Sequence, residues 1–313
     1  MSQMKLTSSI ALLLLCYGSL VSHCAAQAKE LFSIYYISIG SQNYEEDFST
    51  YETGFSGFVN LKAAKTSAQF ISKIFDSSGA TYGETILSTK ESLITKQRVL
   101  KSVNNVLKKI WLDKKKNPLL IFYFCGHGIS EGFGWNLFLI PGDFIINPAA
   151  SDALKMDKHS ISLTTLWDAI HETNKQLPFV ILADCCYEGN DRRQEIEELQ
   201  KMDNSIAEAM KLAGNVSAII RNMNEFREES AVVFAAPPGT QARTVPHPFL
   251  KIETEIGPLC RRTLLAFCKP TITWREWIDF LAERVADSET HPAVTFWEGN
   301  KKENYLIKRG SKK

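Results

Sequence analysis

Apolar runs alternate with helical periodicities along this chain. Residues 31–39 (LFSIYYISI) form an apolar run rich in β-branched and aromatic side chains and ended by Gly40, which predicts a buried strand. Residues 61–75 carry helical spacing that stops near Ser77-Ser78-Gly79, and Thr85-Ile86-Leu87 reads as a short strand. Residues 95–111 predict an amphipathic helix, with Val99, Val103, Val106, Leu107 and Ile110 on one face and Lys101, Lys108 and Lys109 off it. Residues 119–124 (LLIFYF) are the most strand-like run, and 137–140 a shorter one closed by Pro141-Gly142. Ser162 caps a predicted helix through Thr173. Residues 179–183 (FVILA) and 231–235 (AVVFA) predict buried strands, 257–267 and 274–285 helices, and 293–297 a last strand. Strands apolar along their whole length, alternating with helices, predict a parallel sheet covered on both faces, an α/β fold.

Two segments fall outside that alternation. Residues 190–229 are rich in Glu, Lys, Arg, Met and Asn, with apolar positions at Ile196, Leu199, Met202, Ile206 and Met210. This predicts an amphipathic helical insert joining two parts of one domain. Residues 1–28 hold one charge, Lys5, an apolar stretch at 10–21, and a small-residue end at Ala26-Gln27-Ala28. The stretch is too short to span a bilayer, which takes about 20 apolar residues. A basic start, a short apolar core and an A-x-A end predict a secretory signal peptide, and with it a secreted or periplasmic protein whose mature chain has no membrane span.

Composition adds exclusions. The chain has 313 residues, with 36 lysines and arginines against 35 aspartates and glutamates. Such a balance gives no global electrostatic reason to expect a nucleic-acid partner. Beyond the signal segment remain Cys125, Cys185, Cys186, Cys260 and Cys268. They are too sparse for a disulfide framework, and their odd number leaves at least one thiol unpaired.

Two strand ends carry the candidate chemistry. Residues 119–124 run into Cys125-Gly126-His127-Gly128, and 179–183 run into Asp184-Cys185-Cys186-Tyr187-Glu188-Gly189. In doubly wound sheets, ligands bind beyond the carboxyl ends of the strands. If these two strands are neighbours, an imidazole and a thiol share one edge, the pairing that activates a cysteine nucleophile. Glycines on both sides of His127 let backbone approach a substrate closely. Each motif by itself is more often a turn or a packing feature; the combination carries the reading.

These motifs resemble the caspase/metacaspase superfamily of cysteine peptidases, and most its bacterial, metacaspase-type branch. Cys125-Gly126-His127-Gly128 is similar to the family's S-G-H-G, Leu139-Ile140-Pro141-Gly142-Asp143 to its L-x-P-x-D, and Asp184 through Gly189 to its D-x-C-H-S-G. Ala235-Ala236 with Gly239-Thr240-Gln241-Ala242 resembles A-S-x-x-G-Q-x-A, and Ile39-Gly40 with Tyr44 is compatible with the family. His127 and Cys186 are 59 residues apart, near the roughly 50 typical of caspases. The resemblance implies a three-layer α-β-α sandwich around a six-stranded, mostly parallel sheet. It implies one catalytic domain over 29–313, with a larger part at 29–190, the connector at 191–229 and a smaller part at 230–313.

It also implies roles. Cys186 is the nucleophile and His127 the general base and acid, with the N–H groups of Gly128 and Cys186 as oxyanion hole. Asp184, two residues before the nucleophile, lines the first specificity pocket. A carboxylate there favours Arg or Lys before the scissile bond. Strand alternation turns Cys185 away from His127 and makes it a core residue. Tyr187 and Glu188 replace the usual His-Ser, and Ser67-Ala68 stands where metacaspases often carry Asp-Ala. Asp143, Asp157 and Asp191 are scattered oxygen donors with no paired-Asp cluster, so no cofactor is expected; calcium, which metacaspases often need, stays an open alternative. The expected partner is a protein or peptide substrate. The competing expectations are a catalytically silent caspase-like binding module and a cysteine hydrolase or transferase with a non-peptide substrate.

Overall fold

A computed structural model describes residues 31–44, 60–89, 91–131, 136–144, 160–173, 177–185, 188–189, 230–235, 242, 244–250, 254–282, 294–296 and 306–308. All of them belong to one compact unit, Leu31–Lys313. The predicted signal segment, the predicted insert, Cys186, Tyr187, Asp157 and Asp191 lie outside the described residues.

In chain order the elements begin with β1 (Ser33–Gly40), α1 (Lys62–Ser77), β2 (Tyr82–Leu87), α2 (Lys96–Asp113), β3 (Pro118–Glu131), β4 (Asn136–Ile140) and β5 (Ile161–Ser162). They continue with α3 (Leu163–Thr173), β6 (Phe179–Cys185), β7 (Glu188–Gly189), β8 (Ala231–Phe234), β9 (Val245–Pro246) and β10 (Glu255–Ile256). The last are α4 (Pro258–Phe267), β11 (Ile272–Thr273), α5 (Trp274–Ala282), β12 (Val294–Phe296) and β13 (Leu306–Lys308).

Six strands run through the main sheet in the order β12-β8-β6-β3-β1-β2. Every neighbouring pair is parallel except β12 with β8. This six-strand path, which β4, β5 and β7 join at its side, is the mostly parallel arrangement that the resemblance implies. Its faces separate by strand alternation. Odd positions of β3, Leu119, Ile121, Tyr123 and Cys125, join Val180 and Leu182 of β6 beneath α1, α4 and α5. Even positions, Leu120, Phe122 and Phe124, join Ile181, Ala183 and Cys185 beneath α2 and α3. The result is three layers, helices on both sides of one sheet. Each large apolar side chain fully buried here contributes about 1.5–3 kcal/mol.

The helices follow from their sequences. In α2, Val99, Val103, Val106, Leu107 and Ile110 are the buried stripe, and the Thr95 side chain caps the start by accepting from the Arg98 N–H at 3.1 Å. In α3, Ser162 does the same for Thr165 at 2.9 Å. Trp274 and Trp277 are fully buried against Phe32, Phe75 and Phe267, a packing role.

The short strands β5, β7, β9, β10, β11 and β13 are not among those expected, and two expected strands are longer than their apolar runs. β2 is longer than Thr85–Leu87, starting at Tyr82 because parallel pairing with Tyr35 begins there. β3 does not stop at Phe124. It runs on through Glu131 because β4 folds back on it antiparallel, pairing His127 with Ile140 and Glu131 with Asn136. The local sequence Cys-Gly-His-Gly has poor strand propensity, and tertiary pairing overrides it.

The strand order reverses between β1 and β3: the chain leaves β1 toward β2, then returns to the other side of β1 and proceeds outward through β6 and β8. That switch point is where an open α/β sheet leaves a crevice beyond its strand ends. The carboxyl ends of β1 and β6 lie level with Cys125 and Gly126 of β3 there.

Candidate active site

His127 lies on β3, two residues past Cys125, which is level with Gly40 at the end of β1. Backbone polarity alternates along a strand, so successive N–H groups point to opposite edges. The Cys125 carbonyl accepts from the Ser41 N–H at 2.9 Å, on the β1 side. The His127 N–H points the same way and donates to the Tyr44 hydroxyl at 2.9 Å. The N–H of Gly128 is thereby turned to the opposite edge, the side of β6 and β7.

Tyr44 is the residue that sequence reasoning passed over, having read it as an unspecific marker. Its hydroxyl also donates to the Ser41 carbonyl at 3.0 Å, and its ring stands 4.9 Å from the imidazole of His127 at an interplanar angle of 60°. Burial pushes its phenol well above the ordinary tyrosine range, so it stays protonated. Gly126 makes room for this contact, since a Cβ there would lie 2.8 Å from the Phe124 ring and 3.0 Å from the Tyr44 hydroxyl. Tyr44 thus holds His127 by backbone and by ring. Tyr44→Phe is expected to leave the part-buried His127 N–H short of its acceptor, at a cost of about 1 kcal/mol, which thermal unfolding beside the wild type checks; an unchanged Tm would contradict the contact.

β6 lies beside β3 with Cys125 opposite Asp184 and Gly126 opposite Cys185. The residues that follow these two in sequence are His127, which is on β3, and Cys186. Cys185 is buried in the core beneath α2 and α3, on the face away from Asp184. Glu188 pairs with Ile129 as β3 meets β7.

Asp184 points to the other face, only 4% exposed. Its Oδ2 accepts from the Tyr123 hydroxyl at 2.8 Å and from the Cys260 N–H at 3.0 Å. Cys260 is the third residue of α4, whose N-cap is Gly257, a residue with no side chain to offer. The carboxylate from β6 supplies the cap that Gly257 lacks. A Cβ on Gly257 would lie 2.1 Å from Oδ2, so only glycine leaves room. The Gly257 N–H is taken by Ser67 Oγ at 2.8 Å, and Ser67 itself donates to the Ala63 carbonyl at 2.6 Å. Ser67 and Asp184, distant in sequence, thus grip the same helix start. Gly257→Ala is expected to destabilise the fold by about 2–3 kcal/mol, since neither the buried carboxylate nor the helix backbone can yield. Chemical denaturation measures it, and a loss well under 1 kcal/mol would contradict the contact.

The electrostatics of Asp184 are set by competing causes. Burial pushes its pKa up to about 6, against the Cys260 N–H, the Tyr123 hydroxyl, the Leu259 N–H and the charge of Arg262, which all lower it. Among the described residues its Oδ1 has no hydrogen-bond partner. Burial likewise pushes the thiol of Cys260 far up, so that cysteine is inert packing. Cys125, Cys185 and Cys260 are buried, Cys268 is exposed, and all are thiols.

Among the described residues, no group of three or more His, Cys, Asp or Glu side chains converges as a metal site. Asp143 sits in the turn after β4, its N–H donating to the Ile94 carbonyl at 3.2 Å.

No protein-family model matches the chain, and no curated protein is significantly similar to it. Among solved structures, protein GSU0716 from Geobacter sulfurreducens is similar to it with a TM-score of 0.51 at 11% identity, over 89% of this chain and 97% of that one. Caspase-1 from Spodoptera frugiperda is similar with a TM-score of 0.47 at 12% identity, over 90% of this chain and 93% of that one. The likeness to the Geobacter protein is one of fold.

Proposed function

We propose that this protein is a caspase-like cysteine endopeptidase that hydrolyses peptide bonds through a thioester on Cys186. The observation that carries the reading is the register of β3 and β6. Their last described partners are Gly126 and Cys185, and the two sequence candidates for base and nucleophile, His127 and Cys186, each follow directly in sequence. In this reading the Cys186 thiolate attacks the carbonyl carbon of the scissile bond, and His127 delivers the proton to the leaving amine as the C–N bond breaks. Water activated by His127 then opens the thioester. The N–H of Gly128, turned to the β6 edge, and the N–H of Cys186 hold the oxyanion.

The substrate side rests on Asp184. One of its oxygens is occupied in capping α4, and the other has no hydrogen-bond partner among the described residues. A guanidinium or ammonium beside Oδ1 would satisfy it and draw the carboxyl back to its charged form, which favours Arg or Lys before the cleaved bond. The structural use of Oδ2 as a helix cap favours a second reading, in which Asp184 serves the fold and specificity lies elsewhere. Labelling with a peptidyl-Arg acyloxymethyl ketone, located by peptide mass mapping, tests both. Modification at Cys186 supports the peptidase with a basic preference. Modification there only by neutral or acidic peptides retains the peptidase and removes the basic preference. No modification by any of them leaves a silent caspase-like module. Secretion through residues 1–28 belongs to the same proposal, and an N-terminal sequence beginning at Lys29 in the exported protein would support it.

A further inference from the structure

The near-zero net charge conceals a local excess. α2 ends in Trp111 and Leu112, which are 68% and 54% exposed, the two most exposed large apolar side chains of that helix. Lys108, Lys114, Lys115 and Lys116 stand exposed around them. The only acid of this stretch, Asp113, already accepts from Lys109 at 2.9 Å and from the Tyr35 hydroxyl at 3.2 Å. Lys114 takes a left-handed conformation at the helix end, φ 48°, where glycine is the usual choice. The turn is tied to the start of β1, since Ser33 bonds the carbonyls of Lys116 and Asn117 by side chain and backbone, both at 2.9 Å. Leu31, itself 44% exposed, enters two residues earlier.

We infer that this pole of the domain docks on an anionic lipid bilayer surface. Adjacent exposed Trp and Leu ringed by lysines make an interfacial composition: the apolar pair enters the headgroup boundary while the ammonium groups meet lipid phosphates. A second copy of the chain is a poor occupant, because a two-fold contact would set lysines against lysines. A nucleic-acid surface would use the lysines and leave Leu112 unexplained. The candidate active site lies at the opposite ends of the same strands, roughly 25 Å away for a strand as long as β1, so docking would leave it open.

The test is cosedimentation of the purified full chain, its N-terminus read by intact mass, with phosphatidylcholine vesicles made with and without phosphatidylglycerol. Binding is expected only to the anionic vesicles, weakened by salt. A variant with Lys114, Lys115 and Lys116 changed to Gln should bind about a hundredfold more weakly. Trp111→Ser with Leu112→Ser should lose about tenfold. Lys114→Gly separates binding from folding, since it removes one charge while relieving the left-handed backbone, and should bind more weakly with an unchanged or higher Tm. Equal binding to neutral vesicles, binding untouched by these variants, or binding to a single-stranded RNA with none to vesicles would each overturn the inference. None of these outcomes bears on the peptidase reading, which uses residues at the other pole.

Discussion

Changing Cys186 to Ala is expected to abolish peptide hydrolysis, a loss on the order of 10⁶-fold in kcat, because neither the thioester nor its general-base partner can act without the thiolate. The neighbouring change, Cys185→Ala, should retain turnover. Its side chain is buried beneath α2 and α3, on the sheet face away from Asp184, so the substitution costs stability, about 1–2 kcal/mol, and leaves the proposed nucleophile in place. Assays of both purified variants on a panel of fluorogenic peptides, beside their unfolding curves, separate the two effects. Full activity in Cys186→Ala would sink the assignment. A folded but inactive Cys185→Ala would move the nucleophile by one residue and reverse the strand alternation on which the site is built.

The second large effect concerns Asp184. Asp184→Asn should reduce kcat/KM on Arg and Lys substrates on the order of 10²-fold, since the oxygen that would meet the cation loses its charge. The same change has a stability signature of opposite sign. The folded carboxyl titrates near 6 while an unfolded one titrates near 3.8, so the native state holds the extra proton between those values. Stability from this group is full below the lower value and is lost as pH rises through the higher one, a swing of about 3 kcal/mol. An ordinary ion-paired aspartate does the reverse. Wild type should therefore lose Tm relative to Asp184→Asn between acid and neutral pH, with the gap closing below pH 4. A gap that widens in acid would mean that the carboxylate is held charged by its cap hydrogen bonds and by Arg262, and that desolvation is the lesser cause. A variant that keeps its activity on Arg and Lys while showing the predicted Tm behaviour would assign Asp184 to the helix cap alone.

Both predictions rest on positions that the sequence marked, yet the contacts behind them were visible in it only in part. Cys185 and Asp184 were separable by strand alternation, a rule of period two that needs no knowledge of neighbours. The capping of α4 by Asp184 was not. Gly257 looks in sequence like an uncapped start, and its partner lies 73 residues away on another element. Tyr44 shows the same limit, since its partner His127 is 83 residues distant.

What the sequence determined by itself was the layering. Uninterrupted apolar runs at 119–124 and 179–183 have no polar face to offer water, so they could only be inner strands, and the stripe from Val99 to Ile110 has one side to bury. Those patterns are local, and burial free energy reads them directly. The tertiary structure alone decided the strand order, with its reversal between β1 and β3. It also decided the length of β3, which continues through Cys-Gly-His-Gly because β4 returns to pair with it. It decided, too, that Asp184 is desolvated, with burial pushing its carboxyl up to about 6. Each of these depends on which distant segment supplies a hydrogen-bond partner or excludes water. Hydrophobic periodicity records which side of an element is buried but carries no record of what lies against it.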